Sequence, residues 1–238
     1  MRLLITCISF LILSETFGQN FTYPIIKPTG HSITEFIPPG WIALDSAIGD
    51  LNNDKLADLA LIIQSKDSVT ITKSQDGSLD TVITQPRILL IAFKATIDDQ
   101  YFLVEQNNSF ILNHDDPIMD DPYQTLEINN RILQIGFHIW QSMGSYTVTN
   151  TKYKFRYQSK EFVLVGADDN SYSRSTGEID DYSYNFLAKK VKISSGDNIS
   201  GDSEKRKVKW KSIDIKKLKT LKTFKQPYTW EVMPDFYL

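Results

Sequence analysis

The sequence is poor in the residues that carry thiol and histidine chemistry: it has one cysteine, Cys7, and three histidines. Cys7 lies inside the segment that we interpret below as a signal peptide, so the rest of the chain can form no disulfide bond. It also lies too early to be the lipid-attachment residue of a lipoprotein. No histidine has a zinc-site spacing such as H-E-x-x-H, and no G-x-S-x-G elbow or glycine-rich phosphate loop is present.

Long hydrophobic runs are also lacking. The apolar stretch LLITCISFLIL follows Arg2 and has roughly half of the ~20 residues that a membrane-spanning helix needs. A positive start, a short apolar core and small residues near Gly18 predict a signal peptide over residues 1–18. We therefore expect a secreted or periplasmic protein with no transmembrane segment after cleavage. The lack of disulfides in an exported chain favours a bacterial source.

Charge is distributed unevenly along the chain. The segment of residues 205–225 holds ten basic residues and one acid, Asp214, although the whole protein has a net charge of −3. An exported protein rarely meets nucleic acid, so we expect no nucleic-acid partner. Lysines that alternate with apolar residues are typical of an edge strand, and attachment to an anionic envelope surface is the alternative. Residues 194–204, rich in Gly, Ser and Asp, predict a flexible loop before this basic segment.

Short apolar or alternating runs bounded by polar turns predict β-strands. They include ADLALII, RILLIAFK, YFLVEQ and RILQIGFHIW, and the stretch of residues 153–166 predicts a hairpin that turns at Gln158, Ser159 and Lys160. We therefore predict one mostly β domain over residues 19–238: an antiparallel meander, a sandwich or a partial propeller with few short helices.

Helix signals are sparse. The run SITEF predicts one short turn, in which Ser32 is the N-cap residue and Glu35 follows three positions later. The apolar residues Ile215, Leu218, Leu221 and Phe224 recur every three positions, which allows a short late helix.

Four side chains with oxygen atoms are crowded just before the apolar strand of residues 59–63. Asp50, Asn52, Asp54 and Asp58 occupy positions 1, 3, 5 and 9 of a loop, and the Leu56 backbone carbonyl occupies position 7. Calcium takes six to eight oxygen ligands, and an ion at the centre would offset the repulsion among the three carboxylates. The sequence therefore predicts a calcium site. An Asp- and Asn-rich turn at the start of a strand is the alternative.

The spacing excludes an EF-hand, because position 12 is Leu61 where that motif needs a bidentate Glu. In the predicted loop the intervening residues Leu51, Asn53 and Lys55 point away from the ion. We expect structural rather than catalytic calcium, because no ligand position is left for a substrate.

The run from Gly49 to Asp58 resembles the calcium loop of FG-GAP repeats in integrin-α-type β-propellers. That family has the pattern G-D-x-[DN]-x-[DN]-G-x-x-D before a strand, and the resemblance implies the five calcium ligands named above. Lys55 stands where the family has Gly, so a non-glycine residue must adopt a positive φ. This chain has one copy of the motif, whereas a propeller has several. The order of FIPPGW, the loop and residues 153–187 also resembles uncharacterised secreted proteins of Bacteroidetes-type bacteria, which supports export.

A second acidic stretch, residues 166–183, combines carboxylates with tyrosines and an arginine. This composition favours a binding surface for sugars or peptides, with these candidate residues: Asp168, Asp169, Tyr172, Arg174, Glu178 and Asp181. Two of its carboxylates could instead serve a glycosidase.

The sequence as a whole favours an exported, calcium-stabilised, non-enzymatic binding domain. Its partner would be carbohydrate or an envelope protein. Two alternatives stay open at this point. One is a hydrolase of envelope or dietary polymer that uses carboxylates of residues 168–181, and the other is a structural or inhibitor-like protein whose edge strands pair with a partner.

Overall fold

The computed structural model describes residues 21–75, 78–96, 98–197 and 206–238. The predicted signal peptide, residues 1–18, lies outside the described residues, as do Lys205 and most of the predicted loop of residues 194–204. No helix among the described residues is long and apolar enough to span a membrane.

The fold is mostly β and antiparallel, as predicted. The strands are β1 (Thr29–Gly30), β2 (Trp41–Gly49), β3 (Asp58–Ser65), β4 (Val69–Gln75), β5 (Ser78–Thr84), β6 (Arg87–Lys94), β7 (Tyr101–Asn107), β8 (Tyr123–Asn129), β9 (Ile132–Ile139), β10 (Thr147–Gln158), β11 (Glu161–Ser173), β12 (Glu178–Asn185), β13 (Lys190–Asp197), β14 (Lys207–Ser212), β15 (Glu231–Met233) and β16 (Phe236–Tyr237).

Two large sheets account for most of these strands. One has the order β1-β7-β6-β3-β2, and the other is a continuous seven-stranded meander from β8 to β14. The pairs β4–β5 and β15–β16 form separate two-stranded ribbons. The predicted hairpin is confirmed as β10–β11, and its turn residues Ser159 and Lys160 have φ values of 51° and 65°. Two successive positive φ values fit the turn twist that two-residue hairpins favour.

The two large sheets share one core cluster. The five-stranded sheet contributes Ala60, Ile62, Leu89 and Ile91, and the meander contributes Leu133, Ile135, Phe137, Tyr153 and Phe155. Phe110, from the loop after β7, lies at the centre of this cluster and makes edge-to-face contacts with the rings of Phe137, Tyr153, Phe155 and Phe224. Below, the side of the meander that faces this core is called its inner face, and the opposite side its outer face.

The other side of the five-stranded sheet is also covered. Leu59, Leu61 and Ile63 of β3, with Ile88 and Leu90 of β6, form a second cluster with residues near the start of the chain, namely Ile26, Phe36 and Trp41. Alternate residues of a strand point to opposite sides, so β3 and β6 are apolar on both. This explains their unbroken apolar runs.

The two helix predictions have different outcomes. Residues 33–36 form a short 3₁₀ helix after Ser32, as expected. The late helix predicted for residues 215–224 is wrong. The Leu221 N–H donates to the Phe162 carbonyl, and the Leu164 N–H donates to the Lys219 carbonyl. This segment therefore runs along the start of β11, and its buried apolar residues anchor an irregular chain in the core.

The described part of the basic segment is a strand followed by the irregular chain of residues 215–224. Residues 207–212 form β14, so the edge-strand interpretation is confirmed there. Residues 194–197, predicted to be loop, belong to β13 instead, since their backbone continues the ladder to β12 and β14.

Replacing Phe110 by Ala is expected to lower the free energy of unfolding by about 3–5 kcal/mol. The reason is that Phe110 is fully buried among four aromatic rings. Phe102→Ala is the matched control, because that side chain is 43% exposed, and it should cost less than about 1 kcal/mol. Urea unfolding of both variants measures the difference. Equal losses in the two variants would contradict the central position of Phe110.

Candidate functional site

The predicted calcium loop connects the end of β2 to the start of β3. Asp58 is the first residue of β3 and is 0% exposed. Leu51 is only 1% exposed and joins the core between the sheets. The apolar side chain of Leu51 therefore packs into the protein interior.

Asp58 holds three parts of the chain together. Its Oδ2 accepts hydrogen bonds from the N–H groups of Leu51 (2.8 Å) and Asn52 (3.4 Å). Its Oδ1 accepts from the N–H of Lys94 at the end of β6, at 3.0 Å. Burial raises the pKa of the Asp58 carboxyl, the three backbone hydrogen bonds oppose this rise, and the nearby Asp54 charge adds to it.

The side chain of Asp50 organises the middle of the loop by bonding to the loop backbone. The carboxylate of Asp50 accepts from the N–H groups of Asn53 at 2.6 Å and Lys55 at 3.1 Å. Asn53 and Lys55 have φ values of 71° and 70°, a region that favours glycine. The expectation that Lys55 must adopt a positive φ is thus confirmed, and the Asp50 carboxylate stabilises that conformation.

Asn52 and Asp54 contact each other. The Asn52 amide donates to Asp54 Oδ2 at 2.9 Å, and Asp54 Oδ1 accepts the Leu56 N–H at 2.8 Å. Across the described residues, no three His, Cys, Asp or Glu side chains are grouped closely enough to hold a metal ion. In this structure the loop carboxylates accept hydrogen bonds, most of them from the loop backbone.

Gly49, directly before the loop, is required by tertiary packing. A Cβ atom there would lie 2.6 Å from Cγ2 of Ile128 in β8, which is closer than carbon atoms can approach. The loop therefore begins where the two sheets are in close contact.

The second candidate surface is divided by the sheet. Ala167 belongs to the core, so in β11 Asp169 points to the inner face, whereas Asp168 and Tyr172 point to the outer face. Asp181 pairs with Asn170 across β11 and β12 and lies on the outer face too. The six predicted residues therefore do not form one continuous surface.

On the outer face, acids and bases from neighbouring strands are paired. Asp168 accepts from Lys154 and, at 2.9 Å, from the Ser183 hydroxyl. Asp181 accepts from the Asn170 amide and from Arg206. These partly exposed pairs each contribute little stability, but they fix the positions of the side chains.

Asp169 has a different environment, on the inner face. The Thr151 hydroxyl donates to Asp169 Oδ1 at 2.5 Å, and the Tyr228 hydroxyl donates to Thr151 at 3.0 Å. Burial raises the pKa of the Asp169 carboxyl, and the Thr151 hydrogen bond only partly opposes the rise. Burial, with the Asp169 charge, also raises the pKa of Tyr184.

Arg174 and Glu178 lie in and beside the turn between β11 and β12. The Arg174 guanidinium lies 5.1 Å from the Trp140 ring centroid and donates to the carbonyls of Gln141 and Ser145. Glu178 accepts the Thr176 hydroxyl at 3.0 Å. Both side chains stabilise local turns.

The structure also places a polar depression on the outer face, which the sequence analysis did not identify. It has a volume of about 300 Å³ and is lined by these residues: Gln124, Gln134, Gly136, Asn150, Thr151, Lys152, Asp168 and Asn170. A Cβ atom at Gly136 would lie 2.5 Å from the Thr125 hydroxyl oxygen, so the glycine leaves room for the Thr125 side chain. The lining residues come from four strands, so no local sequence pattern indicates the depression.

An ion pair between the buried Arg87 and the partly exposed Asp121 is a further feature that no local sequence pattern indicates. Arg87, at the start of β6, is 3% exposed, and its guanidinium donates to both carboxylate oxygens of Asp121 at 2.7 and 2.5 Å. It also donates to Gln64 and to the Leu112 carbonyl, each at 2.8 Å. Burial alone would raise the pKa of Asp121, but the Arg87 hydrogen bonds and charge hold it below its ordinary value.

Comparison with protein-family models, curated proteins and solved structures finds no match to this chain.

Replacing Asp169 by Asn is expected to raise the free energy of unfolding at neutral pH, on the order of 1 kcal/mol. The folded-state pKa is raised, so the ionised carboxylate costs stability above that pKa, and the cost disappears as the pH falls through it. The gain from Asp169→Asn should therefore shrink on acidification. Urea unfolding across a pH series measures this.

Asp168→Asn is the matched control, since it removes a carboxylate from the paired outer face. It should give no gain at neutral pH. A loss of stability in Asp169→Asn at neutral pH would show that the buried carboxylate is favourable, contrary to this prediction.

Proposed function

We propose that this protein is an exported, calcium-stabilised β domain that works by binding rather than by catalysis. Its ligand is carbohydrate, or an envelope protein that carries similar polar groups. The observation that supports this proposal best is the polar depression on the outer face of the meander.

The chemistry of the depression suits sugar hydroxyls. Four of its lining side chains are amides (Gln124, Gln134, Asn150 and Asn170), and an amide can donate and accept hydrogen bonds at the same time. Lys152 and Asp168 add one charge of each sign. The imidazole of His138 is hydrogen-bonded to the Asn150 side chain at 2.7 Å, which holds that amide in position on the rigid sheet.

The arrangement of the carboxylates supports binding over hydrolysis. A glycosidase of the usual kind places two carboxyl groups on either side of the scissile bond. Here Asp169 and Asp168 point to opposite faces of β11, and the two outer carboxylates, Asp168 and Asp181, are each paired with a cation. This arrangement supports the binding proposal over the hydrolase alternative.

The loop of residues 50–58 supports the calcium part of the proposal. It places three carboxylates and one amide within nine residues, and one of these carboxylates, Asp58, is already fully buried at its base. The ligand set would be Asp50, Asn52, Asp54, Asp58 and the Leu56 carbonyl. Binding requires Asp50 and Asp54 to exchange backbone hydrogen bonds for the ion. The ion would then replace the repulsion between carboxylates by attraction.

Calcium is expected to raise the melting temperature of the wild-type protein but not that of Asp54→Ala. At a free calcium concentration of a hundred times the dissociation constant, the stabilisation is about 2.7 kcal/mol. Thermal unfolding with calcium and with chelator measures the shift. Asp67→Ala, an exposed acid outside the loop, is the control and should keep the full shift. The absence of a calcium effect in the wild type would show that the loop is only a hydrogen-bonded turn.

Polysaccharide binding should depend on the depression. The double substitution Gln134→Ala and Asn170→Ala is expected to weaken binding at least about tenfold, or 1.4 kcal/mol, because two amide partners of the sugar are lost. Affinity electrophoresis against bacterial-envelope and plant polysaccharides identifies a ligand, and calorimetry then measures its affinity.

Gln226→Ala, an exposed amide away from the depression, is the control for that experiment. Release of reducing ends from the bound polysaccharide would contradict the non-enzymatic proposal. Unchanged affinity in the double variant would contradict the location of the site.

A further inference from the structure

Strand β14 forms an open edge of the seven-stranded sheet. It pairs with β13 on one side, and among the described residues no strand pairs with its other side. All six of its side chains are exposed. The open edge of β14 therefore offers backbone N–H and C=O groups to another chain.

The register shows which residues present these groups. The Ile213 N–H donates to the Lys189 carbonyl at 3.0 Å, and hydrogen-bonded pairs alternate along an antiparallel ladder. The lysines at 207, 209 and 211 therefore bond to β13 through their backbone. The N–H and C=O groups of Val208, Trp210 and Ser212 point to the open edge.

The two sides of β14 differ in chemistry. Lys209 lies beside Ile193 and Lys211 beside Val191, both of which are core residues, so the three lysines lie on the inner face. Val208 and Trp210 lie on the outer face, 51% and 65% exposed. A strand added at this edge would meet lysines on one side and apolar side chains on the other.

A groove continues this edge on the side of the C-terminal ribbon. It has a volume of about 550 Å³, and its lining combines the apolar side chains of Ile213, Val232, Met233 and Phe236 with Lys211 and the acids Asp214 and Glu231. Side chains at the end of an added strand could enter it.

The charges decide which occupant fits. Pairing β14 with β14 of a second copy would place two rows of lysines on the same face, and like charges on adjacent strands are destabilising. An acidic strand would instead face the lysines with complementary charge. The same lysines thus disfavour self-association and select the partner.

We propose that β14 accepts an extended acidic segment of a partner protein as an eighth strand of the meander. Acidic side chains of that segment face Lys207, Lys209 and Lys211, and its apolar side chains lie beside Val208 and Trp210. This inference rests on the proposed binding role and deepens it by naming a protein partner and its surface. It uses no residue of the depression or of the calcium loop.

The test uses a synthetic ten-residue peptide, blocked at both ends, in which Glu alternates with Val. The acidic peptide should bind the full protein and change the Trp210 fluorescence, and Trp210→Phe identifies that signal. The same peptide with Lys in place of Glu should bind at least tenfold more weakly. Added salt should weaken binding of the acidic peptide, since the attraction is between exposed charges.

Two variants test the geometry. Val208→Pro removes an N–H that points to the open edge and leaves the ladder to β13 intact, so it should weaken binding at least tenfold, whereas Val208→Ala should not. The triple substitution of Lys207, Lys209 and Lys211 by Glu should reverse the preference to the lysine peptide. This reversal is a gain of binding, which an unfolded variant would not show.

Equal binding of both peptides, or full binding by a folded Val208→Pro variant, would overturn the inference. A concentration-dependent dimer that Val208→Pro abolishes would overturn it too, because the occupant would then be a second copy. Polysaccharide binding by the depression is measured with other residues, so its success or failure is distinguishable from this result.

Discussion

The burial of β3 and β6 on both sides is the constraint on which the rest of the structure depends. Their apolar residues alternate between the core shared by the two sheets and the second cluster beneath the start of the chain. The meander covers one face, and residues such as Ile26, Phe36 and Trp41 cover the other. The order of layers follows from this requirement. Asp58 is compatible with it because the buried carboxylate accepts three backbone hydrogen bonds at the point where β3 begins.

The Arg87–Asp121 pair shows how a charge is accommodated at the edge of this apolar layer. Arg87 is almost fully buried, and its donors reach Asp121, Gln64 and the Leu112 carbonyl. Removing Asp121 would leave the buried Arg87 charge without its ion-pair partner, which is strongly destabilising. The pair therefore holds the segment after β7 against β6, and so positions Phe110 in the core.

The chemistry of the seven-stranded meander differs between its two faces and between its centre and its β14 edge. Its inner face contributes core residues from β8 to β13 and becomes lysine-rich at β14, where the core ends. Its outer face has paired charges and amides at the centre and exposed Val208 and Trp210 at the edge. Sugar recognition and strand addition would thus use different parts of one sheet, and neither requires the sheet to change shape.

The sequence by itself determined the class of fold, most strand positions and the β10–β11 turn, because alternation and turn residues are local signals. The resemblance to the FG-GAP calcium loop also indicated that Lys55 must adopt a positive φ, since that family has Gly at this position. The sequence could not decide that Leu51 is buried, that residues 215–224 are not helical, or that Asp168 and Asp169 are separated by the sheet. Those facts depend on which distant strands cover each side chain. The depression around Gly136 has the same origin: its residues come from four strands, and only tertiary packing brings them together.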